Sequence, residues 1–183
     1  MLGQGFTVSD LSRFKDVPPV EETGRSFEEN AKLKAFAGSL LTSELVVADD
    51  SGLEVAALNS APGVFSARYA GENATDAQNI AKLLAELRPR GCEGSARAAR
   101  FCCAIAVAEA GAIRGLVFGT VDGFITEVAH GPGGFGYDPV FAPLGYRETF
   151  SELGDSVKNR ISHRAMAVVK LRESILRLTT GSA

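Results

Sequence analysis

RAARFCCAIAVAEAGAIRGLVFGTVDGFITEV, residues 97–128, is the strand-rich middle of the chain. It contains two runs rich in β-branched and aromatic residues, 97–109 and 113–128, separated by Ala110-Gly111-Ala112. Such runs around a short glycine-containing spacer are typical of a β-hairpin, and we predict one long hairpin here. The second run also contains glycines that we expect to mark bends or bulges: Gly115, Gly119 and Gly123.

Helical patterns lie on both sides of this stretch. Ser26 and Glu29 have capping-box spacing ahead of an amphipathic segment that runs to Leu41, and Thr75 and Gln78 have the same spacing ahead of AQNIAKLLAEL. Ser162 precedes a third helical pattern, SHRAMAVVKLRESILRL. Because helices and strands alternate along the chain, we predict a mixed α/β domain.

LVVADDSGLEVAAL, residues 45–58, reads as two short apolar runs around an acidic turn, Asp49-Asp50-Ser51-Gly52. Glu21 and Glu22 form a second acidic turn ahead of the first helix. Carboxylate oxygens suit Mg²⁺, which typically takes one or two protein carboxylates alongside substrate phosphates. Two acidic turns could therefore share one ion. The alternative is an ordinary turn, since Asp, Ser and Gly favour turns anyway.

Basic residues at two helix positions could contact phosphate. Asn30 and Lys34 stand four residues apart and share one helical face, where the lysine could reach an anion as a point charge. Lys158, His163 and Arg164 lie around the start of the last helix, a position that favours anions. The alternatives are a solvated helix face for the first group and ordinary helix-end polarity for the second.

Composition and missing motifs exclude several classes. There is no G-x-S-x-G or G-K-[ST] motif and only two histidines, which argues against covalent catalysis. A net charge of −3 with both signs interspersed argues against nucleic-acid binding or a polybasic membrane anchor. No apolar run approaches a membrane span. Three cysteines without C-x-x-C spacing, Cys92, Cys102 and Cys103, are expected as core or strand residues of a cytoplasmic protein.

GPGGFG, residues 131–136, formally satisfies the dinucleotide-binding pattern G-x-G-x-x-G. That fingerprint requires a helix that begins at its last glycine. Pro139 lacks an N–H and follows too closely for such a helix. We therefore interpret the segment as a loop, and a Rossmann-type oxidoreductase is disfavoured.

Four stretches together resemble the inosine triphosphate pyrophosphatase family: EETGRSFEENAKLKA, VADDSGLEVAALNSAPGVFSARYAG, GPGGFGYDPVF and SHRAMAV. The resemblance implies one pyrophosphatase domain over residues 1–183, with an elongated, twisted mixed sheet, flanking helices and two lobes around a central cleft. It implies a homodimer that, with Mg²⁺, hydrolyses ITP, dITP and XTP to the monophosphate and pyrophosphate.

The resemblance also implies roles for the residues around the phosphates. Glu22 and Asp50 would hold the metal, and Asp50 would be the general base. A carboxylate that binds metal is a poor base, so Asp49 stays open as the alternative. Ser51 would contact the substrate, and Lys34 and Lys158 would contact the phosphates.

A second set of residues would bind the purine. The family pattern places Phe135, Gly136, Tyr137 and Asp138 at the nucleotide, with His163 and Arg164 facing them. Phe135 would stack on the base, and Arg164, which has donors only, would satisfy the 6-oxo acceptor of hypoxanthine or xanthine. Adenine presents an amino donor at that position and would leave buried groups unpaired.

One expected feature of the family is missing from the sequence. Members normally begin with an apolar strand that ends in a [S/T]-x-N-x-x-K turn, and this turn grips the triphosphate. The sequence reaches EETG by residue 24 without that turn. Either the start codon was placed too late or this is a real, N-terminally shortened form. We expect the chain as written to have weakened or no activity, and the alternative function is a non-catalytic nucleotide-binding or dimerisation partner.

Overall fold

The computed structural model describes residues 5–11, 14, 19–90 and 97–180, so Cys92 and most of the first 18 residues lie outside the described part. Four helices and four strands are present there: α1 (Phe27–Ser39), β1 (Val46–Val55), α2 (Asp76–Leu87), β2 (Ala98–Glu109), β3 (Ala112–Ile125), β4 (Phe141–Pro143), α3 (Phe150–Ile161) and α4 (His163–Thr180). The strands form one sheet in the order β1-β2-β3-β4. The predicted mixed α/β class with flanking helices is confirmed. No described helix has the length and apolar character needed to cross a membrane.

The predicted hairpin is confirmed as β2 and β3. Its turn consists of Ala110 and Gly111, with φ of 46° and 72°. Two consecutive positive φ angles are typical of the type I′ turn, whose twist matches the twist of the two strands. Residues 101–108 of β2 are all buried, so both faces of this strand are covered.

Gly123 allows a close approach between β3 and β4. It pairs with Pro143 in an antiparallel register. A Cβ at this position would lie 2.3 Å from the carbonyl oxygen of Ala142 and 2.6 Å from the ring of Phe141. The strand runs on through this residue, so packing against β4 explains the glycine.

The predicted acidic turn at 49–52 is wrong, because β1 continues through it from Val46 to Val55. Turn propensity is a weak local preference, and here β1 lies in the sheet beside β2 and buries apolar side chains after the acidic residues. Leu53 and Val55 are fully buried. The acidic residues therefore lie in the middle of a strand.

The chain divides into two compact units. The first comprises Met1–Asp50, Cys103–Gly119 and Met166–Ala183. Its apolar core packs alternate residues of β2 against one face of α4, at spacings of two and four residues. The core residues are Cys103, Ile105, Val107, Ala167, Leu171 and Ile175.

The second unit comprises Ser51–Cys102 and Thr120–Ala165. One stripe of α2 is buried in its core: Ile80, Leu83 and Leu87. Three aromatic rings pack beside that stripe: Phe101 lies 4.6 Å from Phe141, which lies 5.5 Å from Phe150, between ring centroids.

The capping predictions are confirmed for α2, where Thr75 and Gln78 form the complete box. At α1 only half forms: Ser26 accepts from the Glu29 N–H, but the Glu29 carboxylate accepts from the N–H of Arg25. Helix α3 was not predicted. The sequence does contain a pattern that indicates this helix, the capping box of Thr149 and Glu152.

Replacing Gly123 by alanine should lower the free energy of unfolding by about 1–3 kcal/mol, because the added methyl group meets backbone and an aromatic ring. Gly115→Ala is the matched control in β3, since its methyl would meet the Ser174 hydroxyl at 3.0 Å, which can rotate, and otherwise only Val107 at an ordinary contact distance of 3.9 Å. Urea unfolding followed by circular dichroism measures both. Equal stability of the two variants would contradict this account of Gly123.

Candidate active site

Three of the predicted site residues meet in the first unit. Lys34, on α1, donates from Nζ to Glu22 Oε1 at 2.7 Å and to Asp50 Oδ1 at 2.9 Å. Glu22 lies in the segment before α1, and Asp50 lies in β1. The ammonium group therefore joins two carboxylates that come from separate parts of the chain.

Asn30 belongs to the same group, although it was not assigned a site role. It is fully buried, and its Nδ2 donates to Asp50 Oδ2 at 3.1 Å. Its Oδ1 accepts from the backbone N–H of Gly24 at 2.8 Å. The signal in the sequence was its spacing from Lys34, because residues four apart share a helix face.

The two central groups have shifted pKa values. Burial raises the pKa of Asp50, and the opposing hydrogen bonds from Lys34 and Asn30 offset this only in part. Burial by itself lowers the pKa of Lys34, but its hydrogen bonds to Glu22 and Asp50 together raise it above the usual value. The ammonium group thus stays charged, whereas the Asp50 carboxylate is held in an environment that disfavours its charge.

Asp49 and Asp50 point to opposite faces of β1, because successive side chains in a strand alternate. Asp50 faces α1 through Lys34 and Asn30. Asp49 Oδ2 instead lies 4.0 Å from the Sγ of Cys103, which belongs to the core under α4. The adjacent acids therefore occupy different environments and do not act as a side-by-side pair.

The carboxylates of Glu22 and Asp50 converge on one cationic position, which the Lys34 ammonium group takes. Among the described residues no three His, Cys, Asp or Glu side chains form a group that could hold a metal ion. Two convergent carboxylates match the small protein ligand set of Mg²⁺, which keeps several waters. The residues present fit such an ion.

Lys158 and Asp138 form an ion pair in the second unit. Asp138 is buried, and its Oδ2 also accepts from the backbone N–H of Phe135 at 3.2 Å. Lys158 lies on α3 and not in a connection ahead of the last helix. Its ammonium group thus binds the carboxylate that holds the glycine-rich loop.

The glycine-rich loop presents Phe135 to solvent, with 76% of the residue exposed. The carboxylate of Asp76 accepts from the Gly136 N–H at 2.7 Å, and Ser151 Oγ accepts from the Gly133 N–H at 3.2 Å. A single 3₁₀ turn, Asp138–Val140, follows the loop. No α-helix begins there, so the interpretation of this segment as a loop unlike a dinucleotide fingerprint is confirmed.

The other predicted base-binding residues differ in exposure. The Tyr137 side chain is buried, its hydroxyl donates to the Ser66 carbonyl at 2.9 Å, and burial raises the pKa of its phenol. His163 begins α4 with its ring stacked on Phe101 at 4.8 Å. Arg164 is exposed, and Ser51 is half-buried in β1.

Fold and site together thus define the class of this protein: a mixed α/β protein in which two carboxylates surround one cationic position. The chain belongs to the Ham1 family, whose model matches residues 1–174. This confirms the family resemblance seen in the four sequence stretches.

Relatives and solved structures agree with this membership. The chain is 53% identical over 170 residues to a dITP/XTP pyrophosphatase from Geobacillus kaustophilus, which covers 93% of the chain and 82% of the relative. It is 46% identical over 168 residues to a Bacillus subtilis protein of the same name, covering 92% and 84%. The structure of a HAM1 protein from Coxiella burnetii matches with a TM-score of 0.81 and 45% identity over 88% of this chain and 82% of that chain.

Asp50→Asn should change how stability depends on pH in metal-free protein. The pKa of Asp50 is raised in the folded state above its ordinary 3.8, so the unfolded state releases this proton first. The wild type therefore loses stability relative to the variant as the pH rises above 3.8. We expect the Tm of Asp50→Asn minus that of the wild type to increase between acidic and neutral pH.

Thermal unfolding by calorimetry in the presence of a chelator measures this difference. The same protein pair at low pH is the internal control, because both side chains are then uncharged. A Tm difference that stays constant or falls over this range would show that burial does not raise the pKa of Asp50.

Proposed function

We propose that this chain hydrolyses the non-canonical purine nucleoside triphosphates ITP, dITP and XTP to the monophosphate and pyrophosphate, which removes them from the nucleotide pool. Membership of the Ham1 family and similarity to proteins named dITP/XTP pyrophosphatase support the proposal. The observation that carries it is the convergence of the Glu22 and Asp50 carboxylates on the Lys34 ammonium group. A single domain, a homodimer and a cytoplasmic location belong to the same proposal.

Glu22 and Asp50 would hold Mg²⁺. The ion would neutralise triphosphate charge and make bound water more acidic, which is the chemistry it supplies in phosphoryl transfer. Lys34 uses two of its three ammonium N–H donors on the carboxylates. The third donor can bind a phosphate oxygen, so Lys34 would link the carboxylates to the substrate.

In the proposed reaction, water attacks phosphorus, a new P–O bond forms, and the bond between the α-phosphate and the bridging oxygen breaks. Pyrophosphate leaves, and a carboxylate accepts the proton of the water. Of the two candidates we favour Asp50, since Asp49 lies on the opposite face of β1 beside Cys103.

Binding of the base is proposed for the second unit. Phe135 offers an exposed ring on which a purine can stack, and Arg164 is exposed with donors for a 6-oxo group. Gly136 and Asp138 belong to the anchored loop, and His163 lies next to Arg164 in the chain. Ser51 would contact substrate. Tyr137 would act from the core by supporting the loop, because its hydroxyl is bound to Ser66.

Lys158 has a revised part in this proposal. It was expected at the phosphates, but its ammonium group is bound to Asp138. One donor is used there, so two remain for a phosphate oxygen. Lys158 would thus both stabilise the loop and contact the substrate.

Wild-type protein should release pyrophosphate from dITP and XTP in a Mg²⁺-dependent reaction, and faster than from dATP or dGTP. Asp50→Asn should lower kcat at least about 100-fold, because it removes the favoured base and a metal ligand. Asp49→Asn, the matched control one residue away, should retain more activity. A coupled pyrophosphate assay measures all three.

Equal rates for Asp50→Asn and wild type would refute the assigned site. Binding of ITP without Mg²⁺-dependent turnover would favour the alternative, a non-catalytic nucleotide-binding partner. Comparable rates with dGTP and dITP would contradict the proposed substrate class.

Phe135→Ala should raise KM for dITP roughly 10-fold, since a base stack on an aromatic ring contributes about 1–3 kcal/mol. Its Tm should not change, because the side chain is largely exposed. Phe135→Tyr keeps an aromatic face and should keep the wild-type KM. Steady-state kinetics measure KM, and thermal unfolding measures Tm. Equal KM values for the two variants would contradict the stacking role.

A further inference from the structure

We propose that Asn30 is a positioning residue of the active site: its buried amide fixes the carboxylate of Asp50 and, through Gly24, the segment that carries Glu22. This inference rests on the proposed function and extends it to a residue that does not contact the substrate. Its basis is the pair of hydrogen bonds from one fully buried side chain to both acidic parts of the site.

The orientation of the Asn30 amide follows from its two partners. The Gly24 N–H can only donate, so the acceptor that faces it must be Oδ1. The ionised Asp50 carboxylate can only accept, so the group that faces it must be Nδ2. A flipped amide would place donor against donor and acceptor against acceptor in a buried place, which is costly. Asn30 therefore has one orientation.

With the amide in that orientation, the two oxygens of the Asp50 carboxylate bind different donors. Oδ2 accepts from Asn30, which leaves Oδ1 for the Lys34 ammonium group at 2.9 Å. Rotation of the carboxylate would break the hydrogen bond to Asn30. Asn30 thus keeps one particular oxygen of Asp50 directed at the cationic position.

The second hydrogen bond fixes Glu22 through the backbone. Gly24 follows Glu22 by two residues, and it lies so close to α1 that a Cβ there would be 2.6 Å from Asn30 Oδ1. The backbone at Gly24 is therefore in direct contact with helix α1. Through Asn30, helix α1 therefore holds the Asp50 carboxylate directly and the segment that carries Glu22 through the backbone of Gly24, and its next turn supplies Lys34.

Asn79 provides a matched comparison in the second unit. It is also a buried asparagine in a helix, and it too bonds in both directions: Nδ2 donates to the Ala67 carbonyl at 3.0 Å, and Oδ1 accepts from the Ala70 N–H at 2.8 Å. Both of its partners are backbone groups. The bond to an active-site carboxylate is what distinguishes Asn30.

The test compares Asn30→Ala and Asn30→Leu with Asn79→Ala and Asn79→Leu. For dITP hydrolysis we expect both Asn30 variants to lose about 10- to 100-fold in kcat, with KM changed less than threefold, as for residues that orient metal ligands. Their affinity for Mg²⁺ without nucleotide, measured by calorimetry, should fall about 10-fold. The Asn79 variants should lower Tm but keep kcat and Mg²⁺ affinity.

A further measurement does not depend on activity. Hydrogen exchange by NMR should show a protected Gly24 amide in the wild type and the Asn79 variants, and faster exchange in the Asn30 variants. If the Asn30 variants do not fold, Gly24→Ala replaces them. Its methyl would lie 2.6 Å from Asn30 Oδ1, 2.7 Å from the Glu29 Cβ and 2.9 Å from the Asn30 backbone nitrogen, so the Gly24 segment must move away from Asn30. This variant should produce the same loss of kcat and Mg²⁺ affinity.

Wild-type kcat and Mg²⁺ affinity in a folded Asn30 variant, or in Gly24→Ala, would overturn the proposal. So would losses of equal size in the Asn79 variants, which would mean that any buried asparagine has this effect. Failure of the wild type to hydrolyse dITP would refute the proposed function instead. The Mg²⁺ and Gly24 measurements would then still decide the positioning role.

Discussion

The site depends on one ammonium group placed between two carboxylates. Two carboxylates that share a partly buried location repel each other and lose hydration, so the protein must supply positive charge to keep them there. Lys34 supplies that charge to Glu22 and Asp50. The compensation for Asp50 is incomplete, because burial still raises its pKa. Burial thus outweighs the hydrogen bonds from Lys34 and Asn30 at this carboxylate.

Helix α1 carries and positions the groups that meet this electrostatic requirement. Lys34 and Asn30 lie one turn apart on the same face, and together they bind both oxygens of Asp50. The same turn of helix binds the backbone at Gly24. The carboxylates come from a loop and a strand, so the helix is the rigid element to which both are attached. In the second unit, Asp138 plays a comparable part for the loop, where it joins Lys158 to the backbone of Phe135.

Much of the fold could be predicted from local patterns. The hairpin could be predicted because β-branched and aromatic runs flank a short glycine spacer. Helix α2 could be predicted because a capping box precedes one apolar stripe. That β1 is one unbroken strand could not be predicted, because Asp49-Asp50-Ser51-Gly52 has the composition of a turn. Its strand conformation depends on the neighbouring strand. Motif resemblance selected Glu22, Lys34 and Asp50, which do meet. It could not show that Asn30 binds Asp50 or that Lys158 is paired with Asp138, since both facts depend on packing between distant segments.

The continuous strand β1 has a consequence for how this site can change. Asp49 and Asp50 differ in environment only because consecutive side chains alternate between the two faces of the sheet. A one-residue shift in the pairing of β1 would turn Asp49 toward α1 and Asp50 toward the apolar core under α4. Which of the two acids faces Lys34 and Asn30 thus depends on strand register as much as on the amino acid itself. Insertion or deletion of one residue in β1 would therefore exchange the environments of the two acids while keeping both of them.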